Sequence, residues 1–168
     1  REHSSYSSML EALVVVIQSF ATQAPKAAQL LIKNHPLDNG YFNYRQVVYE
    51  LSCAHGVQER VFFIDNENLS SLLTGAHGFV TINSTSGIQA LGQGIPTKIL
   101  GKAFYDITGL TSQNSLDVFW KDPTPVNKNL FQKFRRYLLH TNQINGSFYI
   151  SKSYSIMLHQ LEQGLFLE

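Results

Sequence analysis

Apolar residues recur along this chain in two rhythms, one helical and one extended. Met9, Leu13, Val16, Ile17 and Phe20 fall at helical spacing and predict a first helix over residues 5–20, although the Val14-Val15-Val16-Ile17 centre would suit a strand equally well. Ala24-Pro25 breaks the pattern. Leu30, Leu31 and Ile32 predict a short buried strand within residues 29–34, ended by His35-Pro36 because proline cannot continue a ladder. After an Asp38-Asn39-Gly40 turn, residues 43–55 predict a second helix, with Val47, Val48, Leu51 and Ala54 on one face and Gly56 as its C-cap. A strand over residues 61–64 follows, then Asp65 and Asn66 as loop residues. Leu69, Leu72 and Leu73 mark a third helix ending near Gly75.

The stretch from Gly78 to Leu100 organises the rest. Phe79, Val80 and Ile82 form an extended run that stops at Asn83; Ser84, Thr85, Ser86 and Gly87 follow as a polar turn. Ile88, Ala90 and Leu91 then start a helix, which Gly94 and Pro96 close before a further extended run at Ile99 and Leu100. Strands alternating with amphipathic helices predict an α/β fold, a Rossmann-like three-layer sandwich with a parallel sheet covered on both faces. The chain is expected to form one domain, residues 1–168, with its core over about residues 5–111 and a helical extension over about 115–165. In that extension, residues 115–121 make one or two helical turns carrying Trp120. Residues 127–139 make a helix with Leu130, Phe131, Phe134, Tyr137 and Leu138 inward and Lys133, Arg135 and Arg136 outward. Residues 146–150 are expected to be extended and 154–161 a terminal helix.

Composition narrows the function classes. The 13 basic and 12 acidic side chains leave a net charge of +1, which indicates no bulk attraction to nucleic acid. A single cysteine, Cys53, rules out an internal disulfide, and the apolar run Ala12 to Ile17 is too short to span a bilayer. The opening REHSSYSS has neither a signal-peptide pattern nor an initiator methionine, so the chain is expected to be a piece of a longer protein.

Ligands of parallel α/β sheets bind beyond the carboxyl ends of the strands. Three such ends are polar here: Lys33-Asn34-His35, Asp65-Asn66, and Asn83 to Gly87. Lys33 and His35, two apart on an extended strand, would point to one side and could contact an anionic ligand. The Asn83–Gly87 turn would place hydroxyls and free backbone N–H groups at a helix N-terminus as a phosphate or carboxylate cradle; the plainer alternative is an ordinary N-cap. It lacks the Gly-Lys-Ser/Thr of a P-loop. His55, His77, His140 and His159 lack the spacing of a metal site, and no G-x-S-x-G elbow is present. The plain reading of Tyr105, Phe119 and Trp120 is packing rather than sugar stacking, and that of Lys133, Arg135 and Arg136 is a solvated helix face, with contact to a membrane surface as the alternative.

The segments IKNHPLDNG and FVTINSTSGIQALGQGIPTKILGKAFYDITGLT, in this order and spacing over about residues 30–111, resemble the capsule polysaccharide biosynthesis family, which contains bacterial β-Kdo glycosyltransferases. The resemblance implies the C-terminal, donor-binding half of a GT-B glycosyltransferase at the cytoplasmic face of the inner membrane. Its substrates would be CMP-β-Kdo, or another nucleotide sugar, and a lipid-linked or polysaccharide acceptor. Transfer would proceed with inversion and no metal. Lys33 and His35 would contact the donor phosphate or carboxylate, and Asn83, Ser84, Thr85, Ser86 and Gly87 would take the CMP phosphate. Gln89 stands where many GT-B enzymes carry a ribose-binding Glu. Asp65, Asn66, Tyr105 and Asp106 would border the cleft. The general base would come from a missing N-terminal domain, which leaves the catalytic residue unassigned and this piece inactive alone. A UDP-sugar transferase or epimerase, and a non-catalytic domain recognising a polysaccharide or a protein, remain the alternatives.

Overall fold

The structure is a computed structural model that describes residues 9–34, 42–65 and 67–141. The chain divides into two compact units, residues 1–127 and 128–168. The first contains α1 (Met9–Gln23), β1 (Leu30–Lys33), α2 (Tyr44–Ala54), β2 (Val61–Ile64), α3 (Leu69–Leu73), β3 (Phe79–Thr81), α4 (Ser86–Gly92), β4 (Thr97–Ile99) and α5 (Leu116–Phe119). The second contains α6 (Lys128–Thr141).

The ambiguity of the valine-rich first segment is settled by what it buries. A strand would put Leu13, Val15 and Ile17 on one face and Phe20 on the other. Instead Leu13, Ile17 and Phe20 are buried together while Val15 is exposed, which is the helical period. These three join Val48 of α2, Val57 and Val61 in one core cluster, with Leu30, Ile32, Phe63 and Trp120 packed against it. Phe20 is held edge-on by the Trp120 ring, with centroids 5.4 Å apart, and lies under the Arg60 guanidinium at 4.9 Å. Arg60 Nη1 in turn donates to the Pro25 carbonyl at 2.9 Å, closing the chain between α1 and β1.

Helix α2 starts and stops where its sequence signals say. The Asn43 side chain accepts from the Gln46 N–H at 3.1 Å, satisfying an orphan donor of the first turn. At the other end Gly56 takes φ +67°, a left-handed conformation that glycine reaches without the Cβ penalty.

Among the described residues the strands form two separate parallel pairs, β1 with β2 and β3 with β4, rather than the one continuous sheet expected. In the first pair Leu30 faces Val61 and Ile32 faces Phe63, all turned to the core; Leu31 and Phe62, register partners on the other face, stay exposed. Among the described residues that second face lacks the covering layer that a three-layer sandwich requires. In the second pair each strand has three residues, and the far edge of β4 is taken by a bridge from Lys98 to Ser112. Strand alternation along a chain predicts parallel neighbours but not which edges meet, because pairing is a tertiary choice.

In α6, Phe131 and Leu138 are buried but Tyr137, expected to face inward, is 63% exposed. At 3.6 residues per turn Leu138 returns nearly to the azimuth of Phe131, whereas Tyr137 lies about a third of a turn away. The pieces expected at residues 146–150 and 154–161 lie outside the described residues. No helix among the described residues is long and apolar enough to cross a membrane.

Replacing Ile17, which is wholly buried, by Ala is expected to lower stability by about 2–5 kcal/mol in urea denaturation. Val15→Ala, on the exposed side of the same helix, should stay within roughly 0.5 kcal/mol. Equal costs at the two positions would contradict this placement of α1.

Candidate functional site

The loop between β3 and α4 carries the polar run singled out by the sequence. Asn83 and Thr85 are exposed, Ser84 and Ser86 half-buried, and Gly87 buried. The Ser84 and Ser86 hydroxyls are 2.8 Å apart, with Ser86 donating, and the Ser84 oxygen also accepts from the Ser86 N–H at 3.3 Å. This leaves the Ser84 O–H as the donor the pair can offer to a ligand.

Several backbone donors expected to be free are bonded within the loop. The Gly87 N–H donates to the Ser84 carbonyl and the Ile88 N–H to that of Thr85, both at 3.0 Å. The Ser84 N–H reaches Thr81 Oγ1 at 3.4 Å. Thr85 already has helical angles, φ −61° and ψ −14°, so the first turn tightens on itself and satisfies its own donors. The N–H groups of Ser84, Ser86, Gly87 and Ile88 are thus engaged within the loop, and the side chains of Asn83, Ser84 and Thr85 are the further donors it can offer an anion.

Below the loop sits Tyr105, the largest wholly buried side chain in the described residues. Its hydroxyl donates to the Ser84 carbonyl. Its ring packs so close to Gly87 that a Cβ there would meet its Cε2 and Cζ at 2.8 Å, as well as its hydroxyl. Glycine at 87 is thus required by the tyrosine beneath it, not by backbone angles. Burial pushes the Tyr105 pKa up from 10.0 to about 12, with the neighbouring Asp106 carboxylate adding to the shift. Tyr105 is placed as a support under the loop and borders no open face. Exposed Asp106 accepts from Thr111 Oγ1 at 2.6 Å and Gln113 Nε2 at 3.0 Å, which ties the following loop together.

Gln89, the expected ribose contact, is exposed on α4. Its amide donates to Ser70 Oγ at 2.5 Å and so links α4 to α3. Lys33 ends β1 half-buried, with its Nζ 3.3 Å from the Asn34 carbonyl. His35 and Asn66 lie outside the described residues.

A second feature lies at the carboxyl ends of β1 and β2. Asn34, Phe42, Asn43, Tyr44, Arg45, Phe63 and Asp65 line an open cavity of about 280 Å³. It contains the expected Asp65 but neither Lys33 nor any residue of the Asn83–Gly87 loop. Arg45 pairs with the Asp65 carboxylate, donates from Nη1 to the Phe63 carbonyl at 3.3 Å, and lies 5.3 Å from the centroid of the Phe63 ring. The sequence reading passed over Arg45. Its signal was a cation two residues after the N-cap Asn43, an end of the helix where the dipole disfavours positive charge.

An α/β chain with parallel strand pairs and polar residues grouped at their carboxyl ends has the architecture of proteins that receive a ligand at that edge. The chain belongs to the capsule polysaccharide biosynthesis protein family, which it matches over residues 1–149. It is 41% identical over 150 residues to the capsule polysaccharide modification protein LipB of Neisseria meningitidis, covering 89% of this chain and 36% of that protein. To the capsule polysaccharide export protein KpsS of Escherichia coli it is 42% identical over 149 residues, covering 89% of this chain and 38% of the relative. The chain thus spans a little over a third of the length of these relatives. No solved structure matches it.

Two outcomes follow from the buttress. Gly87→Ala should cost about 1–3 kcal/mol in thermal or urea unfolding, because the ring must move to admit the methyl group. The raised Tyr105 pKa also fixes a pH dependence: below pH 10.0 both folded and unfolded chains hold the proton and the contribution is complete. As pH climbs from 10.0 to about 12 the unfolded chain loses that proton first, so stability falls. Denaturant midpoints measured across this window should decline less steeply in Tyr105→Phe than in the wild type; parallel declines would refute the assignment.

Proposed function

We propose that this chain is the donor-binding part of a glycosyltransferase acting in capsule polysaccharide synthesis or export, with a nucleotide sugar, CMP-Kdo in the first instance, as donor. Family membership supports the capsule context. The observation that carries the donor reading is the β3–α4 loop, where consecutive small polar side chains stand over a buried tyrosine that fixes their position. Hydroxyls held in advance lose little freedom when they meet a phosphate, and hydrogen bonds to a charged acceptor are the strong ones. Held at the departing nucleotide, such donors would stabilise the charge that develops there as the glycosidic bond breaks.

In this reading Asn83, Ser84 and Thr85 take the phosphate, Lys33 supplies positive charge from the end of β1, and His35 is a further contact to the donor. Tyr105 and Gly87 act through the loop. Gln89 would contact the ribose through the amide oxygen that its bond to Ser70 leaves open. The general base and the acceptor site belong to the remainder of a protein like the relatives, which are more than twice this length. A lipid-linked or polysaccharide acceptor would place the work at the cytoplasmic membrane face. The resemblance implies inversion, but inversion from a β-configured donor gives an α-linked product. A β-linked product from CMP-β-Kdo requires retention, so the anomeric configuration of the product, read by NMR, decides between them. No metal enters the proposed chemistry.

Calorimetric titration of the full-length protein is expected to show CMP binding in preference to UDP. Ser84→Ala combined with Thr85→Ala should weaken CMP roughly 10-fold or more, since each hydrogen bond to a charged group contributes about 1.5–3 kcal/mol. His35→Ala should weaken it as well. Preference for UDP would keep a nucleotide-sugar enzyme and change its donor. Absence of binding to either nucleotide would defeat the proposal and favour a non-catalytic polysaccharide- or protein-binding role.

A further inference from the structure

We infer that the exposed face of α6 is an electrostatic docking surface for a lipid bilayer rich in anionic headgroups. The inference stands apart from the donor-binding reading and concerns the second unit of the chain alone.

Charge is distributed unevenly along this sequence. Between Pro123 and Leu161 there is no acidic residue, while five of the 13 cations fall there: Lys128, Lys133, Arg135, Arg136 and Lys152. The first four stand on α6, and all four are exposed. Outside α6 this leaves nine basic against 12 acidic side chains, so the small net charge of +1 conceals a concentrated positive patch.

The patch costs the helix something and gains it nothing locally. None of the four cations takes an ion-pair partner among the described residues. Lys133 and Arg136, three apart, share one side of the helix as like charges. Lys128 opens the first turn, where the helix dipole disfavours a cation. A merely solvated face ordinarily mixes both signs, which relieve each other three or four residues apart; α6 supplies no acid to do so. A local preference broken without a packing reward marks a place where binding sets the choice.

The form of the patch selects the occupant. Its cations are spread along about 12 Å of helix axis and around nearly half of the circumference. None is buried, so no single phosphate is enclosed; a broad field of charges is the better match. Tyr137, 63% exposed, lies four residues from Lys133, and half-buried Leu139 lies three from Arg136, so each shares a side with a cation. A phenol and an aliphatic chain beside lysine and arginine suit the headgroup layer, which accommodates apolar body and polar tip together. The phosphate backbone of a nucleic acid would reward the charges alone. Phe131 and Leu138, on the apolar side of α6, are already buried within the protein. The helix therefore rests on the headgroups and does not sink an apolar face among the acyl chains. Attachment of this kind is reversible and yields to salt.

The test is co-sedimentation of the full-length protein with mixed phosphatidylcholine–phosphatidylglycerol vesicles, against vesicles of phosphatidylcholine alone. At about 0.1 M salt the wild type should bind the anionic vesicles roughly 10-fold or more tightly, and it should lose that preference near 1 M, where the Debye length shrinks to about 3 Å. Arg135→Gln combined with Arg136→Gln should weaken binding roughly 10-fold or more. Lys26→Gln combined with Lys102→Gln removes the same charge from exposed positions of the first unit and should change it little. Arg135→Lys combined with Arg136→Lys, which keeps the charge, should retain binding. Equal losses in the two glutamine pairs would show net charge at work and not this face, and would overturn the inference. So would binding that persists near 1 M salt, no preference for anionic vesicles, or an arginine-to-glutamine pair that weakens binding to a DNA duplex but not to the vesicles. CMP titration of the same pair should match the wild type, so failure of this inference leaves the donor reading untouched.

Discussion

The hydrogen bond from the Tyr105 hydroxyl to the Ser84 carbonyl, made possible by the missing side chain at Gly87, fixes the loop between β3 and α4. The bond ties the loop after β3 to the loop after β4. Asp106 extends the arrangement by gathering Thr111 and Gln113 around its carboxylate. The return of the chain to β4 at Ser112 then closes it, through the Ser112 N–H to Thr97 carbonyl bond at 2.8 Å. A phenol buried this completely serves well only while protonated, and its surroundings hold it in that state.

Much of the local structure was legible in the sequence because the signals there are short-range. Residues 61–64 form the strand their apolar run predicts, and Asn43 and Gly56 bracket α2 as cap residues do. What could not be read was long-range. Nothing local says that Tyr105 fills the space beside Gly87, or that two strand pairs form in place of one sheet. The Asn83–Gly87 run joins β3 to α4 as its polar residues predict, but helical angles at Thr85 let the turn bond to itself and engage N–H groups expected to be free. Arg45 was visible as a cation at the wrong end of a helix, and that conflict became informative only once Asp65 and Phe63 were placed beside it.

Two strand-end sites with opposed character emerge. The β3–α4 loop is a set of hydroxyls and an amide over a rigid support, suited to a tetrahedral, charged group. The cavity beside β1 and β2 is aromatic, and its two charged side chains pair with each other.

The Ser19 hydroxyl donates to Asp117 at 2.5 Å and accepts from the Trp120 indole at 2.8 Å, across 98 and 101 residues of chain. These bonds, with the edge of Trp120 against Phe20, join α1 to α5, nearly the full length of the first unit. During synthesis at about 5–20 residues per second, α1 leaves the ribosome roughly 5–20 seconds before its partners do. Through that interval the polar and aromatic contacts of Ser19 and Phe20 are incomplete, and α1, made well before α5, waits longest to be fully enclosed. A nascent chain halted before Trp120 therefore shows this face of α1 to whatever waits at the tunnel exit.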